Sequence, residues 1–159
     1  MICRRCTALV ACVLPLATAT MACELVLSEH RSEQELTRLA LDPQNPAARI
    51  AFTHSVLGTA VVDYYEWRAD EAGHWRAHMV QEHYDGVGYG LPNAAAAGER
   101  LIRDASGWRL YLDRIVHPLV VLPLPSQAMR LEIGTRAAVL LGSLSDKSID
   151  MRAENCLPQ

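Results

Sequence analysis

Lysine is almost missing from this chain. Of its 15 basic residues only Lys147 is a lysine, and the arginines are scattered among 18 acids. No basic stripe forms, which excludes the usual electrostatic footprint of a nucleic-acid-binding surface. Three other features are lacking. There is no long polar segment, so extended disorder is not expected. There is no internal repeat, and no Gly-x-Ser-x-Gly elbow of the kind that presents a hydrolase serine. Long apolar runs are scarce as well. The stretch from Ala8 to Ala19 is too short, and Pro15 too central in it, for a good membrane-spanning helix.

What that stretch does fit is an export signal. Met1 to Thr7 carry Arg4 and Arg5 with no acid, the apolar run follows, and small residues come after it. Cleavage after Ala19 and after Ala22 both suit the pattern. Residues 1–22 are therefore read as a signal peptide and 23–159 as a single domain, with a periplasmic location expected. Half of the residues are hydrophobic, enough at this length for one sizeable core. Without the leader, 13 basic residues face 18 acidic ones, a net charge of −5.

Cysteine is sparse in the same region. Cys3, Cys6 and Cys12 leave with the signal, and Cys23 and Cys156 remain at the two extremes of the mature chain. An even pair in an oxidising compartment favours a disulfide. Two alternatives stay open: free thiols, or a lipoprotein anchored through an acylated Cys23 after Thr20-Met21-Ala22.

The remaining sequence reads as short strands. Segments at 23–27, 36–41, 74–84, 99–103, 108–115, 129–133, 137–141 and 149–153 are bounded by turn residues. The run His117 to Pro125 is apolar but punctuated by Pro118, Pro123 and Pro125, which confines it to an edge strand or loop. Ile50 to Trp67 reads as a hairpin folding back at Gly58. A two-residue turn at Gly58-Thr59 would place Ile50 opposite Trp67, Phe52 opposite Tyr65 and His54 opposite Asp63, all on one apolar face. Eight to ten short strands with little helix imply an all-β fold, an antiparallel sandwich or a partly closed barrel.

Candidate sites are few. His54 and Asp63 form the one polar pair on the hairpin's apolar face, an arrangement that suits a general base held by a carboxylate. A hydrolase needs a nucleophile, and the adjacent Ser55 points to the other face of a strand. His74, His78 and His83 invite a metal reading, but on a strand the first two lie about 13 Å apart, too far to share an ion. Gly86, Gly88 and Gly90 lack the spacing and the helix of a dinucleotide loop. No cofactor, no metal and no catalytic set is expected from these residues.

His54-Ser55-Val56, Thr59, Asp63 and Gly88-Tyr89-Gly90-Leu91-Pro92 together resemble a small bacterial exported family known only as domain-of-unknown-function family 1850. Departures from its pattern are Leu57, where an acid often stands, and Ala60, where proline often follows threonine. Genes of that family frequently lie beside tripartite ATP-independent periplasmic (TRAP) transporters of the TAXI type. The resemblance implies an accessory or binding role in solute uptake, without turnover, with a transporter subunit or its solute as partner. His54, Ser55, Asp63, Gly88, Gly90, Leu91 and Pro92 would then shape the contact surface. The alternatives are a hydrolase or metal-dependent enzyme built on His54 and Asp63, and a structural envelope lipoprotein.

Overall fold

The structure, a computed structural model, describes residues 22–156. The predicted signal peptide lies outside the described residues apart from Ala22. Eleven strands follow in order: β1 (Glu24–Glu29), β2 (Glu35–Ala40), β3 (Ala47–Thr53), β4 (Ala60–Ala69), β5 (Trp75–Tyr84), β6 (Arg100–Asp104), β7 (Gly107–Val116), β8 (Leu119–Val121), β9 (Arg130–Glu132), β10 (Val139–Leu140) and β11 (Ile149–Glu154). They make two antiparallel sheets, one of four strands in the order β2-β1-β11-β8 and one of seven in the order β10-β9-β3-β4-β5-β7-β6. The sheets are sandwiched and do not close into a barrel, so of the two expected architectures the sandwich is the one adopted. The proline-punctuated run supplies β8 at an edge, where its missing N–H groups are harmless.

Period-two alternation sorts the side chains. Leu25 and Leu27 of β1 and Ile149 and Met151 of β11 point inward from the small sheet, against Ile50, Tyr65, Trp67 and Leu131 of the large one. The large sheet extends past the small one. Its far half carries a second apolar cluster of Val61, Tyr84, Leu110 and Leu112, closed by Leu91 and Leu57 from loops.

The first and last strands lie side by side, with Glu24 opposite Glu154. Just beyond that pair Cys23 and Cys156 are joined in a disulfide that spans 133 residues of sequence. In the chain-entropy model a loop of that length stabilises the fold by about 5 kcal/mol. Of the states open to these two cysteines, the structure holds the bridged one.

The hairpin corrects the sequence reading. Ile50 stands opposite Asp63, Phe52 opposite Val61 and Thr53 opposite Ala60. The connection is thus a six-residue loop, His54 to Thr59, and His54 does not face Asp63. The reason is local hydrogen bonding. The His54 imidazole accepts the Val56 and Leu57 N–H groups, both at 3.2 Å, and the Gly58 N–H closes a turn onto the His54 carbonyl at 2.9 Å. Gly58 sits at φ +68°, where glycine carries no Cβ penalty. These bonds satisfy backbone groups that two more strand pairs would otherwise have taken up. The register moves by an even number of residues, so Phe52, Val61, Asp63 and Tyr65 still share the inner face.

Candidate functional site

The two stretches that carry the family resemblance meet in space. Gly88 and Leu91 exchange both backbone hydrogen bonds at 3.1 Å, which makes Tyr89-Gly90 the corner of a tiny hairpin. Both corner residues have positive φ, +54° for Tyr89 and +101° for Gly90, as a type I′ turn requires. A tyrosine in that conformation is strained by roughly 1 kcal/mol or more and needs outside support. It has that support. His54 Nδ1 is occupied as an acceptor, so the ring hydrogen sits on Nε2, and it is donated to the Tyr89 carbonyl at 3.2 Å. Leu91 is buried in the second cluster, and the Tyr84 hydroxyl donates to the Pro92 carbonyl at 2.7 Å.

This clasp holds outward what it does not bury. Tyr89 is 74% exposed, Val56 61% and Val87 40%. Three large apolar side chains therefore project from two loops pinned to each other through one imidazole. Ser55 is exposed in the same loop, and no hydrogen bond links it to His54. Both ring nitrogens of His54 face backbone groups, so the imidazole clasps the two loops together.

Asp63 lies elsewhere, and its partner is a residue that sequence reasoning missed. Across β4 and β5 it stands opposite Glu82, which places the two Cβ atoms about 5 Å apart. The pair occupies a polar seam. Along β4, Asp63 is flanked by Val61 of the second cluster and Tyr65 of the first. Asp63 Oδ2 accepts the Tyr65 hydroxyl at 3.4 Å, while Oδ1 is buried with no partner. Burial first, and then the Glu82 carboxylate, push the Asp63 carboxyl up to about 7. Glu82 is raised too, by burial, with Arg114 opposing the rise and Glu99 adding to it. Arg114 is itself held in an ion pair with Glu99. Nothing local in the sequence joins Asp63 to Glu82. Their pairing depends on the β4–β5 register, which includes an irregularity between Tyr64 and Tyr65.

His74, just before β5, and His78 and His83 within it do not converge. His78 pairs with Asp113 at 2.8 Å, His83 contacts the Ser106 carbonyl at 3.0 Å, and His74 stands 3.6 Å from Asp70. Among the described residues no group of three or more His, Cys, Asp or Glu side chains is arranged to hold a metal ion. None of the described helices is long and apolar enough to cross a membrane.

The comparison with known families settles what this arrangement belongs to. A family model described as domain of unknown function (DUF1850) matches residues 49–138, more than half of the chain. This chain belongs to the DUF1850 family. No curated protein and no solved structure matches it. The DUF1850 match contains the clasp, the Asp63–Glu82 seam, most of β3 and all of β4 to β9. Strands β1, β2 and β11 of the small sheet lie outside it.

Proposed function

We propose that this DUF1850 protein is a single exported domain that works as a binding module, without turnover, accessory to a TAXI-type tripartite solute uptake transporter in the periplasm. The observation that carries the reading is the His54 clasp. It fixes Tyr89, Val56 and Val87 as a rigid apolar tip, and Gly88, Gly90, Leu91 and Pro92 set its shape. Exposed aromatic anchors on a preorganised loop are what a protein partner binds most economically, because little side-chain or backbone freedom is lost on contact. The occupant of the tip is thus a transporter subunit, with the free solute as the lesser fit to a convex surface.

The test is co-purification. Affinity-tagged protein is recovered from detergent extracts of its own cell type, alongside a variant carrying Tyr89→Ser and Val87→Ser. Transporter subunits should accompany the unmodified protein and be lost from the variant, with both proteins showing the same far-ultraviolet circular dichroism. Recovery of no transporter component with the unmodified protein would sink the proposal.

A further inference from the structure

At the opposite end of β4 from the clasp, the small sheet is left open. β1 pairs with all six residues of β11, but β8 pairs only with Ile149, Asp150 and Met151. The hydrogen-bond phase of β11 follows from its neighbours. His30 N–H reaches the Ser148 carbonyl, and Leu41 N–H reaches the Cys23 carbonyl, both at 2.8 Å. Even-numbered residues of β11 therefore exchange bonds with β1, and odd-numbered residues turn toward β8. Ala153 is odd-numbered and lies past the end of β8. Its N–H and C=O face a gap, and no described residue answers them. Ala153 as a whole residue is buried, with its side chain in the core, and its unpaired backbone groups form a free strand edge, a template for pairing with another chain.

The gap is a cleft of about 480 Å³. One wall is the free edge of β11. The other is the large sheet, with Trp67, Trp75 and Val116 in it. The edge is preorganised, since β1 pairs it along its other side and the Cys23–Cys156 bridge fixes its end. β8 begins only at Leu119, and the chain before it crosses from β7 of the large sheet through His117 and Pro118, so it does not fill the place itself.

We infer that the free edge at Ala153 takes up an extended segment of another polypeptide, added as a strand in line with β8. Residues directly opposite in a sheet share a face, so the incoming residue paired with Ala153 points inward between the tryptophans. That residue is apolar. Its two neighbours point outward beside Arg152 and Glu154 and are polar. Because the edge is recessed between two sheets, a single extended segment enters, whereas the edge of a second folded copy does not. This edge lies outside the family match, and the inference stands apart from the proposed transporter contact.

The test uses a phage-displayed library of random dodecapeptides selected on the purified protein, with selected peptides measured by calorimetry and amide exchange. Peptides with one apolar residue between polar neighbours should emerge. In the free protein the Ala153 amide should exchange faster than that of Met151, and peptide should slow it. Ala153→Pro removes the N–H that faces the gap and no donor of the β1 ladder, and should weaken the selected peptides about tenfold or more, provided that circular dichroism shows the fold unchanged. Trp75→Ala should weaken them as well without touching the edge. Four results overturn the inference: no peptide selected, equal binding to both variants, a mass in solution that shows copies pairing through this edge, or an Ala153 amide already protected in the free monomer. The last is what a segment of the same chain seated in the cleft would give.

Discussion

Replacing Asp63 with asparagine removes a group that the fold prefers uncharged, and the consequence for stability has a definite sign. In the unfolded chain this carboxyl titrates near its ordinary value of 3.8, and in the native protein near about 7. Below pH 4 both states are protonated, and the full stability is present. As pH rises toward 7 the unfolded chain releases its proton while the native state still holds it, so stability falls and reaches its floor above pH 7. The span corresponds to at most about 4 kcal/mol at 1.36 kcal/mol per pH unit. Asparagine keeps an oxygen for the Tyr65 hydroxyl and carries no charge at any pH. Asp63→Asn should therefore match the native protein within about 1 kcal/mol at pH 4 and exceed it at pH 8 by up to about 4 kcal/mol. At roughly 3 °C per kcal/mol, the melting temperature at pH 8 rises by as much as about 12 °C. Urea unfolding followed by circular dichroism from pH 4 to 8.5 reads this directly. Glu82→Gln should act in the same direction but less strongly, because burial outweighs the neighbouring carboxylate. Parallel stability curves for Asp63→Asn and the native protein, or a variant less stable at pH 8, would refute the reasoning.

Other expectations follow from the same geometry. His54→Ala leaves the Val56 and Leu57 N–H groups and the Tyr89 carbonyl without their side-chain partner, and should lower the urea midpoint by the equivalent of about 1–3 kcal/mol. The order parameter of the Tyr89 amide should fall with it. Breaking the Cys23–Cys156 bridge by a double serine replacement should remove about 5 kcal/mol if the chain-entropy account holds, measurable by comparing oxidised, reduced and substituted protein in urea. Gly107→Ala would put a Cβ 2.6 Å from the Tyr84 carbonyl oxygen at φ +122°, and should cost about 2–4 kcal/mol by thermal denaturation. Gly98→Ala, at φ +82° with open space around it, should cost about 1 kcal/mol by the same measurement.

Much of this protein could be read in its sequence because the relevant physics is local. Alternation of side chains along a strand has a fixed period of two, so the inner face carrying Ile50, Phe52, Val61 and Asp63 was legible before any register was known. Proline's missing N–H put Leu119–Val121 at an edge, and the cysteines at the two extremes pointed to their own pairing. The residues that drew attention, His54 and Gly88 to Pro92, do meet. Their contact runs through the carbonyl of Tyr89, a backbone atom that no residue type announces.

Tertiary structure alone decided the rest. The two-residue turn at Gly58 lost to a six-residue loop because an imidazole can cap two backbone N–H groups, a competition between hydrogen bonds of similar strength that spacing cannot settle. Asp63 exchanged its expected partner His54 for Glu82 because strand register depends on loop length and on irregularities such as the one at Tyr64 and Tyr65. The open edge at Ala153 exists only because β8 starts at Leu119, where the chain arrives from the other sheet. Sequence fixes which side a residue faces through the geometry of one strand, whereas what it faces is set by neighbours far along the chain.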